Sequence, residues 1–253
     1  MGFVISVINQ KGGVGKTTTA VNLAAYLAEE GHRTLLIDED AQGNATSGLT
    51  MDSSRYEKAL YDVLIGGLPA KEAVYRTKWK RLFLLPASID LAGAEIEMAN
   101  MEDWERLLSR AVKGLREDFD FIIIDCPPSL GLMTVNALTA ADAVIIPIQA
   151  EFYALEGLSQ LVKTVNIVKK RLNPELEILG ILLTMFDGRT NLAQQVEEEV
   201  KSYFGKKVFR TVIPRAVKLS EAPSFGEPIS AYAPKSKGAA AYKSFCQEVL
   251  KRV

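Results

Sequence analysis

Only two cysteines, Cys126 and Cys246, and one histidine, His32, occur in the 253 residues of this chain. Two thiols cannot make a disulfide framework, so a reducing compartment is expected. Their positions also offer no set of ligands for an iron–sulfur cluster. No apolar run approaches the ~18 residues needed to span a bilayer. The opening residues lack the basic lead and cleavage site of an exported leader, which points to a cytoplasmic protein. There is no Ser/Pro linker, low-complexity tract or internal repeat, and residues 1–253 read as a single domain. No helix-turn-helix or zinc-finger pattern is present, nor aromatics interleaved with bases of charge as in single-strand binders. What remains is ordinary for a folded globular protein: 48% apolar and 24% charged residues exclude disorder.

The formal net charge of −1 conceals an uneven distribution. From Lys163 to Val253 there are 16 Lys and Arg against 9 Asp and Glu, a net of +7, leaving 14 against 22 in the rest. A basic C-terminal third favours a polyanionic partner. Without base-reading motifs, the economical form of that partner is the backbone of duplex DNA.

Strand and helix patterns alternate along the chain. Buried strands are expected at Phe3–Ile8, Arg33–Asp38, Leu82–Leu85, Phe121–Asp125, Ala143–Ile148, Ile178–Thr184 and Val208–Ile213. Helical stretches are expected at about Lys16–Glu29, Tyr56–Ile65, Glu102–Arg116, Met133–Ala141, Leu155–Leu172 and Leu192–Phe204. This order implies an α/β fold with a mainly parallel twisted sheet flanked by helices. The last segment, Gly238–Val253, spaces Ala240, Tyr242, Phe245, Cys246, Val249 and Leu250 as one helical face. Such a helix can dock on the sheet or lie on a membrane, and its mildly basic polar face with no flexible spacer favours docking.

Asn9-Gln10-Lys11-Gly12-Gly13-Val14-Gly15-Lys16-Thr17-Thr18 follows a strand and opens a helix, the context of a phosphate-binding loop. Glycines let successive backbone N–H groups turn onto phosphate oxygens, and the helix N-terminus adds partial positive charge. Lys16 suits the β- and γ-phosphates, and the Thr17 hydroxyl suits Mg²⁺. Gln10 stands where such loops usually carry their first glycine, and Lys11 is a second lysine. Lys11 precedes the inward-facing amides, so it can point away from its own nucleotide. Were two loops to face each other across a dimer, each Lys11 could reach the other's phosphates, as an arginine finger does. Phe121–Asp125 is an apolar strand ending in a carboxylate, which suits a Walker B aspartate holding Mg²⁺ through water. Asp38 and Asp40 end the second strand on one side. Asp40, nearer the carboxyl edge, is the candidate to orient or deprotonate the attacking water.

Three stretches, Lys11–Thr18, Asp38–Gly48 and Ile124–Gly131, together resemble the ParA/Soj chromosome-partitioning ATPases, P-loop proteins with a deviant Walker A loop. The likeness continues through Gln149–Gly157, Leu183–Asn191, Val212–Arg215 and Leu219–Ser224, so it covers nearly the whole chain. It implies an ATPase of weak intrinsic activity that takes ATP and Mg²⁺, forms an ATP-dependent homodimer with the nucleotides sandwiched between subunits, and binds DNA without sequence preference. A ParB-type centromere-binding partner would stimulate hydrolysis and release the dimer from the nucleoid. On this resemblance Lys11 is the signature lysine, Asp40 the water-activating residue and Asp125 the Walker B residue. Pro214 is an adenine contact and Arg189 a DNA-binding residue; Lys218, from the basic excess of the C-terminal third, is a further DNA-binding candidate. Two departures stand out. Ala41 replaces a frequent proline, and Ala216 replaces a usual asparagine, which removes any side-chain contact to adenine there. A MinD-like membrane-cycling ATPase is the alternative, and a detached amphipathic C-terminal tail would mark it.

Overall fold

The computed structural model describes residues 1–52, 55–151 and 154–253. Among the described residues there are seven strands: β1 (Phe3–Val7), β2 (Thr34–Asp38), β3 (Tyr75–Arg76), β4 (Leu82–Leu85), β5 (Phe121–Asp125), β6 (Ala143–Gln149) and β7 (Glu177–Thr184). They form one sheet in the order β3-β4-β2-β5-β1-β6-β7, parallel except for the β3–β4 hairpin. Strands with both faces covered carry continuous apolar runs, and Phe121–Asp125 is buried at every residue. Because β1, β2 and β5 are parallel and in register, Val7 pairs with Asp125 and Asp38 with Asp125. Their carboxyl ends therefore meet at one edge, where α/β sheets place their ligands.

Helices α1 (Lys16–Glu29), α2 (Asn44–Ser47), α3 (Leu60–Leu64), α4 (Leu91–Met98), α5 (Leu107–Lys113), α6 (Leu132–Ala140), α7 (Ala154–Arg171) and α8 (Asn191–Phe204) are followed by α9 (Val217–Glu221), α10 (Ile229–Tyr232) and α11 (Lys237–Leu250). The sheet separates two cores. Val4, Leu35, Ile37, Ile122 and Ile124 face α3–α8, whereas Ile5, Val7, Leu36, Ile123 and Ile145 face α1 and α9–α11. Helix α1 is buried almost all round because α11 covers its outer side, and Ala20, Ala24, Ala25 and Ala28 permit that close approach. Two hydrogen bonds fix the pair: the Thr19 and Tyr242 hydroxyls meet at 3.1 Å, and the Tyr26 hydroxyl donates to the Ala239 carbonyl at 2.9 Å. Tyr242, Phe245, Cys246 and Val249 of α11 are buried against this layer, so the last helix is docked, as its apolar face leads one to expect. Among the described residues no helix is long and apolar enough to cross a membrane.

Some elements differ from the sequence expectation. Val208–Ile213 is not a strand: it touches β7 at its two ends, where Phe209 N–H donates to the Ile181 carbonyl at 2.9 Å and Ile213 N–H to that of Leu183 at 2.8 Å, and forms only isolated bridges, Ile181 with Val208 and, just beyond, Phe186 with Pro214. Between them the Glu248 carboxylate accepts the backbone N–H groups of Arg210 and Thr211, at 2.9 and 3.0 Å, in place of a neighbouring strand. The helix expected over Tyr56–Ile65 begins only at Leu60, where Asp62 caps the Ala59 amide at 2.8 Å. The stretch Glu102–Arg116 divides into a 3₁₀ turn, Trp104–Arg106, and α5. Helix α4 and the strand β3 were not legible as elements. Phe152 and Tyr153, in the Gln149–Gly157 motif, lie outside the described residues.

Candidate nucleotide site

The loop between β1 and α1 takes its shape from two glycines. Gly13 and Gly15 adopt φ of +74° and +86°, the left-handed region that residues with a Cβ avoid. Asn9 fixes the entry to the loop, accepting the Lys11 N–H on Oδ1 at 3.0 Å and donating from Nδ2 to the Pro147 carbonyl at 2.7 Å. Thr184, at the end of β7, holds the middle. Its hydroxyl lies 2.7 Å from the Val14 carbonyl and 3.1 Å from that of Ile148. Sequence reading gave Thr184 no role, although a hydroxyl closing an apolar strand was the available signal.

A cavity of about 670 Å³ opens over this loop. Gly12, Gly13, Gly15, Lys16, Thr17 and Thr18 line it from the loop side. Asp40, two residues beyond β2, also lines it, as do Pro214, Ala216 and Met185. Those expected residues are thus brought together. Lys16 is buried, and its Nζ donates to the Lys11 carbonyl at 3.0 Å. Burial lowers the Lys16 pKa, while Asp125, Cys126 and Asp40 act against that fall.

Lys11 behaves otherwise. It is not among the cavity-lining residues, its side chain is 54% exposed, and its ammonium is paired with Glu151. One loop therefore presents a lysine inward and a lysine outward.

The carboxylates beneath the loop have distinct tasks. Asp38 is fully buried and saturated: Oδ2 accepts the Thr46 N–H and hydroxyl, both at 2.7 Å, and Oδ1 accepts the Asp40 N–H at 3.2 Å. Burial raises its pKa to about 6 against these hydrogen bonds. Asp38 is thus structural, leaving Asp40 as the residue of the pair that faces the cavity. Asp40 spends Oδ1 on the Gln42 N–H at 3.0 Å. Asp125 is completely buried, and neither carboxylate oxygen has a hydrogen-bond partner. Burial raises its pKa well above the usual value, and Asp38 and Asp40 raise it further. An unsatisfied buried carboxyl at the end of a strand, beside Thr17, is what a hydrated divalent cation would satisfy.

Glu39 points the other way, as strand alternation requires. It is 1% exposed, and both of its oxygens are also without partners. Burial raises its pKa well above the usual value, and the nearby carboxylates Asp125, Glu95 and Asp38 raise it further. An acid with a raised folded pKa binds more protons folded than unfolded, so stability falls as pH rises above the ordinary value of 4.5 toward the folded one. Gln at this position carries no such proton. Chemical denaturation of the protein and of Glu39→Gln at pH 5 and pH 8 should show the parent losing more stability than the variant across that interval. Parallel losses would contradict a strained, ionising Glu39.

Arg189 and Lys218 are exposed and outside the cavity. The Arg189 guanidinium donates through Nε and Nη2 to the Asp187 carboxylate at 2.8 and 2.7 Å, yet its side chain remains 88% exposed. Lys218 pairs with Glu221 at 2.8 Å and stands 5.5 Å from the Tyr232 ring centroid. A polyanion would compete with one carboxylate at each.

The comparisons agree with this geometry. A family model described as an AAA domain matches residues 2–178. The chain is similar to the sporulation initiation inhibitor protein Soj of Bacillus subtilis, with 55% identity over 249 residues covering 98% of each chain. It is likewise similar to the chromosome partitioning protein ParA of Myxococcus xanthus, with 53% identity over 252 residues, all of this chain and 89% of that one. Among solved structures, cobyrinic acid a,c-diamide synthase of Mycobacterium smegmatis, with bound ATP analogue and magnesium, superposes with a TM-score of 0.87 at 40% identity, covering 99% of this chain and 95% of that one. Fold, phosphate loop and full-length identity converge, and the chain belongs to the ParA/Soj family of chromosome-partitioning ATPases.

Proposed function

We propose that this ATPase is a DNA-partitioning switch in which ATP closes two copies into a dimer, the dimer holds duplex DNA without reading its sequence, and hydrolysis releases it. The observation that carries this reading is the division of the two loop lysines. Lys16 lies in its own cavity, whereas Lys11 lies outside it and is engaged with Glu151. A second copy facing the loop supplies a phosphate for Lys11 to reach. ATP fits the cavity, with its phosphates on the Gly12–Thr18 amides and its base at Pro214. The M. smegmatis relative solved with an ATP analogue and magnesium supports that nucleotide and ion.

Thr17 and Asp125 would hold Mg²⁺, Asp125 through water, and the ion when bound neutralises phosphate charge. This chain's own groups do the rest. Lys16 binds the β- and γ-phosphates, and loop amides orient them. Asp40 holds the attacking water and takes its proton on the carboxylate oxygen not bound to Gln42. The partner's copy of the same loop completes the charge stabilisation through its lysine. A ParB-type partner accelerates hydrolysis, and the dimer resides on the nucleoid until then. The docked α11 argues against a MinD-like membrane tail.

DNA binding with ATP should be salt-sensitive and equal on two unrelated duplexes. Arg189→Ala should weaken binding on both alike and flatten the log–log salt slope by about 0.9 per lost contact in each subunit. ATP-driven dimerisation should be retained. A salt titration of parent and variant on both duplexes, with liposomes as a parallel arm, reads this. A strong preference for one duplex, or binding to liposomes in place of DNA, would overturn the proposal.

A further inference from the structure

The C-terminal third is not the only basic surface. Arg76-Thr77-Lys78-Trp79-Lys80-Arg81 runs from the end of β3 through the turn of the β3–β4 hairpin and places four cations in six residues. Arg76, Lys78, Lys80 and Arg81 are all exposed. Arg33 joins them from the next strand: Thr34 pairs with Leu82, so Arg33 and Arg81 immediately precede neighbouring residues, and the Thr34 N–H donates to the Arg81 carbonyl at 2.9 Å.

The packing here concentrates like charge. The Arg33 and Arg76 guanidiniums lie 4.6 and 6.0 Å from the centroid of one ring, Phe83. Among the described residues neither is in an ion pair, and neither are Lys80 and Arg81. The nearby carboxylates are largely committed elsewhere. Asp120 accepts the Arg33 backbone N–H at 2.6 Å, and Glu227 pairs with Lys78 at 3.3 Å. Beside the cluster a cavity of about 370 Å³ is lined by Trp79, Lys80, Arg81, Glu29 and Pro228. The Trp79 indole Nε1 is buried without a partner, while the Lys78 ammonium stands 4.6 Å from that ring. Arg81, the last residue before β4, holds a φ of +64°, a conformation few residues with a Cβ adopt.

We propose that the Arg33–hairpin cluster is a second phosphate-backbone surface for duplex DNA. Bound phosphates would neutralise Arg33, Arg76, Lys80 and Arg81, which among the described residues are in no ion pair. Its position distinguishes it from the C-terminal residues. Arg33 and Arg81 precede the amino ends of β2 and β4, whereas Arg189 follows the carboxyl end of β7. The two surfaces thus lie at opposite edges of a parallel sheet, and one protein can hold two duplex segments. The reach to a second segment rests on the proposed DNA-binding function; the phosphate contact at the hairpin does not, because it requires neither nucleotide nor dimer.

The test uses the full chain with Trp104→Phe, which leaves Trp79 as the sole indole. Without nucleotide and at low salt, titration with either of two unrelated duplexes should change Trp79 emission saturably. Three contacts should lose about 40-fold in affinity between 50 and 200 mM salt. Arg76→Gln/Lys80→Gln/Arg81→Asn, with asparagine chosen because it tolerates the left-handed backbone, should weaken that response about 10-fold or more. Arg76→Lys/Arg81→Lys should restore it, and Arg189→Ala should leave it intact. With ATP, the parent should capture a free labelled duplex on a bead-bound one, and the triple variant should bind the bead but capture none. An unchanged Trp79 emission, a triple variant with parental affinity, or a response to anionic vesicles and not to duplex would overturn the hairpin surface. A Trp79 response that persists while Arg189→Ala has no effect on ATP-dependent binding would instead remove the C-terminal reading alone.

Discussion

Lys11→Ala is expected to bind MgATP as a separate subunit about as well as the parent, and to lose ATP-dependent dimerisation together with partner-stimulated hydrolysis. The separation follows from the site. Lys16, the loop amides and Thr17 remain in the variant's own cavity, and none of them depends on the Lys11 side chain. What disappears is a cation that reaches the facing copy. Removing one preorganised charge from a transition state costs about 10²–10³ in rate, so stimulated hydrolysis should fall by that factor. Nucleotide titration, sedimentation with and without ATP, and a stimulated turnover assay check the three parts. ATP-dependent dimers of parental stability would show that Lys11 has no role across an interface.

Asp40→Ala should have an effect of similar size in the opposite functional direction. Asp40 is the carboxylate of β2's end that faces the cavity, because Asp38 is taken up by Thr46 and the Asp40 amide. Loss of a positioned general base costs about 10²–10⁴. Nucleotide binding should survive, so the ATP dimer should accumulate and dissociate from DNA more slowly than the parent's. Single-turnover hydrolysis and dissociation from a DNA-coated surface measure both. Hydrolysis at the parent rate would place the water elsewhere.

The parts of this site that were legible in the sequence share a cause. Gly13, Gly15, Lys16 and Thr17 are required by local backbone geometry and phosphate chemistry, so short-range spacing reveals them. Asp125 was legible because an apolar strand that ends in a carboxylate is conspicuous. Contacts that depend on strand order were not. Thr184 is distant from Val14 in sequence and reaches it because β7 ends beside the loop. Glu151 meets Lys11 for the same kind of reason. The expected strand at Val208–Ile213 failed because an apolar run reports burial, not the source of its hydrogen bonds: only its ends bond to β7, and Glu248 takes the Arg210 and Thr211 N–H groups between them. Counting charge over the C-terminal third likewise passed over Arg76–Arg81, whose neighbour Arg33 is contributed by another strand.

Mixing the two inactive variants tests the shared site most directly. If each active centre takes Asp40 from its own subunit and Lys11 from its partner, a Lys11→Ala subunit paired with an Asp40→Ala subunit contains one complete centre. An equimolar mixture should therefore hydrolyse ATP well above the sum of the two variants assayed alone, in the presence of the stimulating partner and DNA. A mixture no more active than that sum, under conditions where the two subunits are shown to pair, would contradict a site built across the dimer.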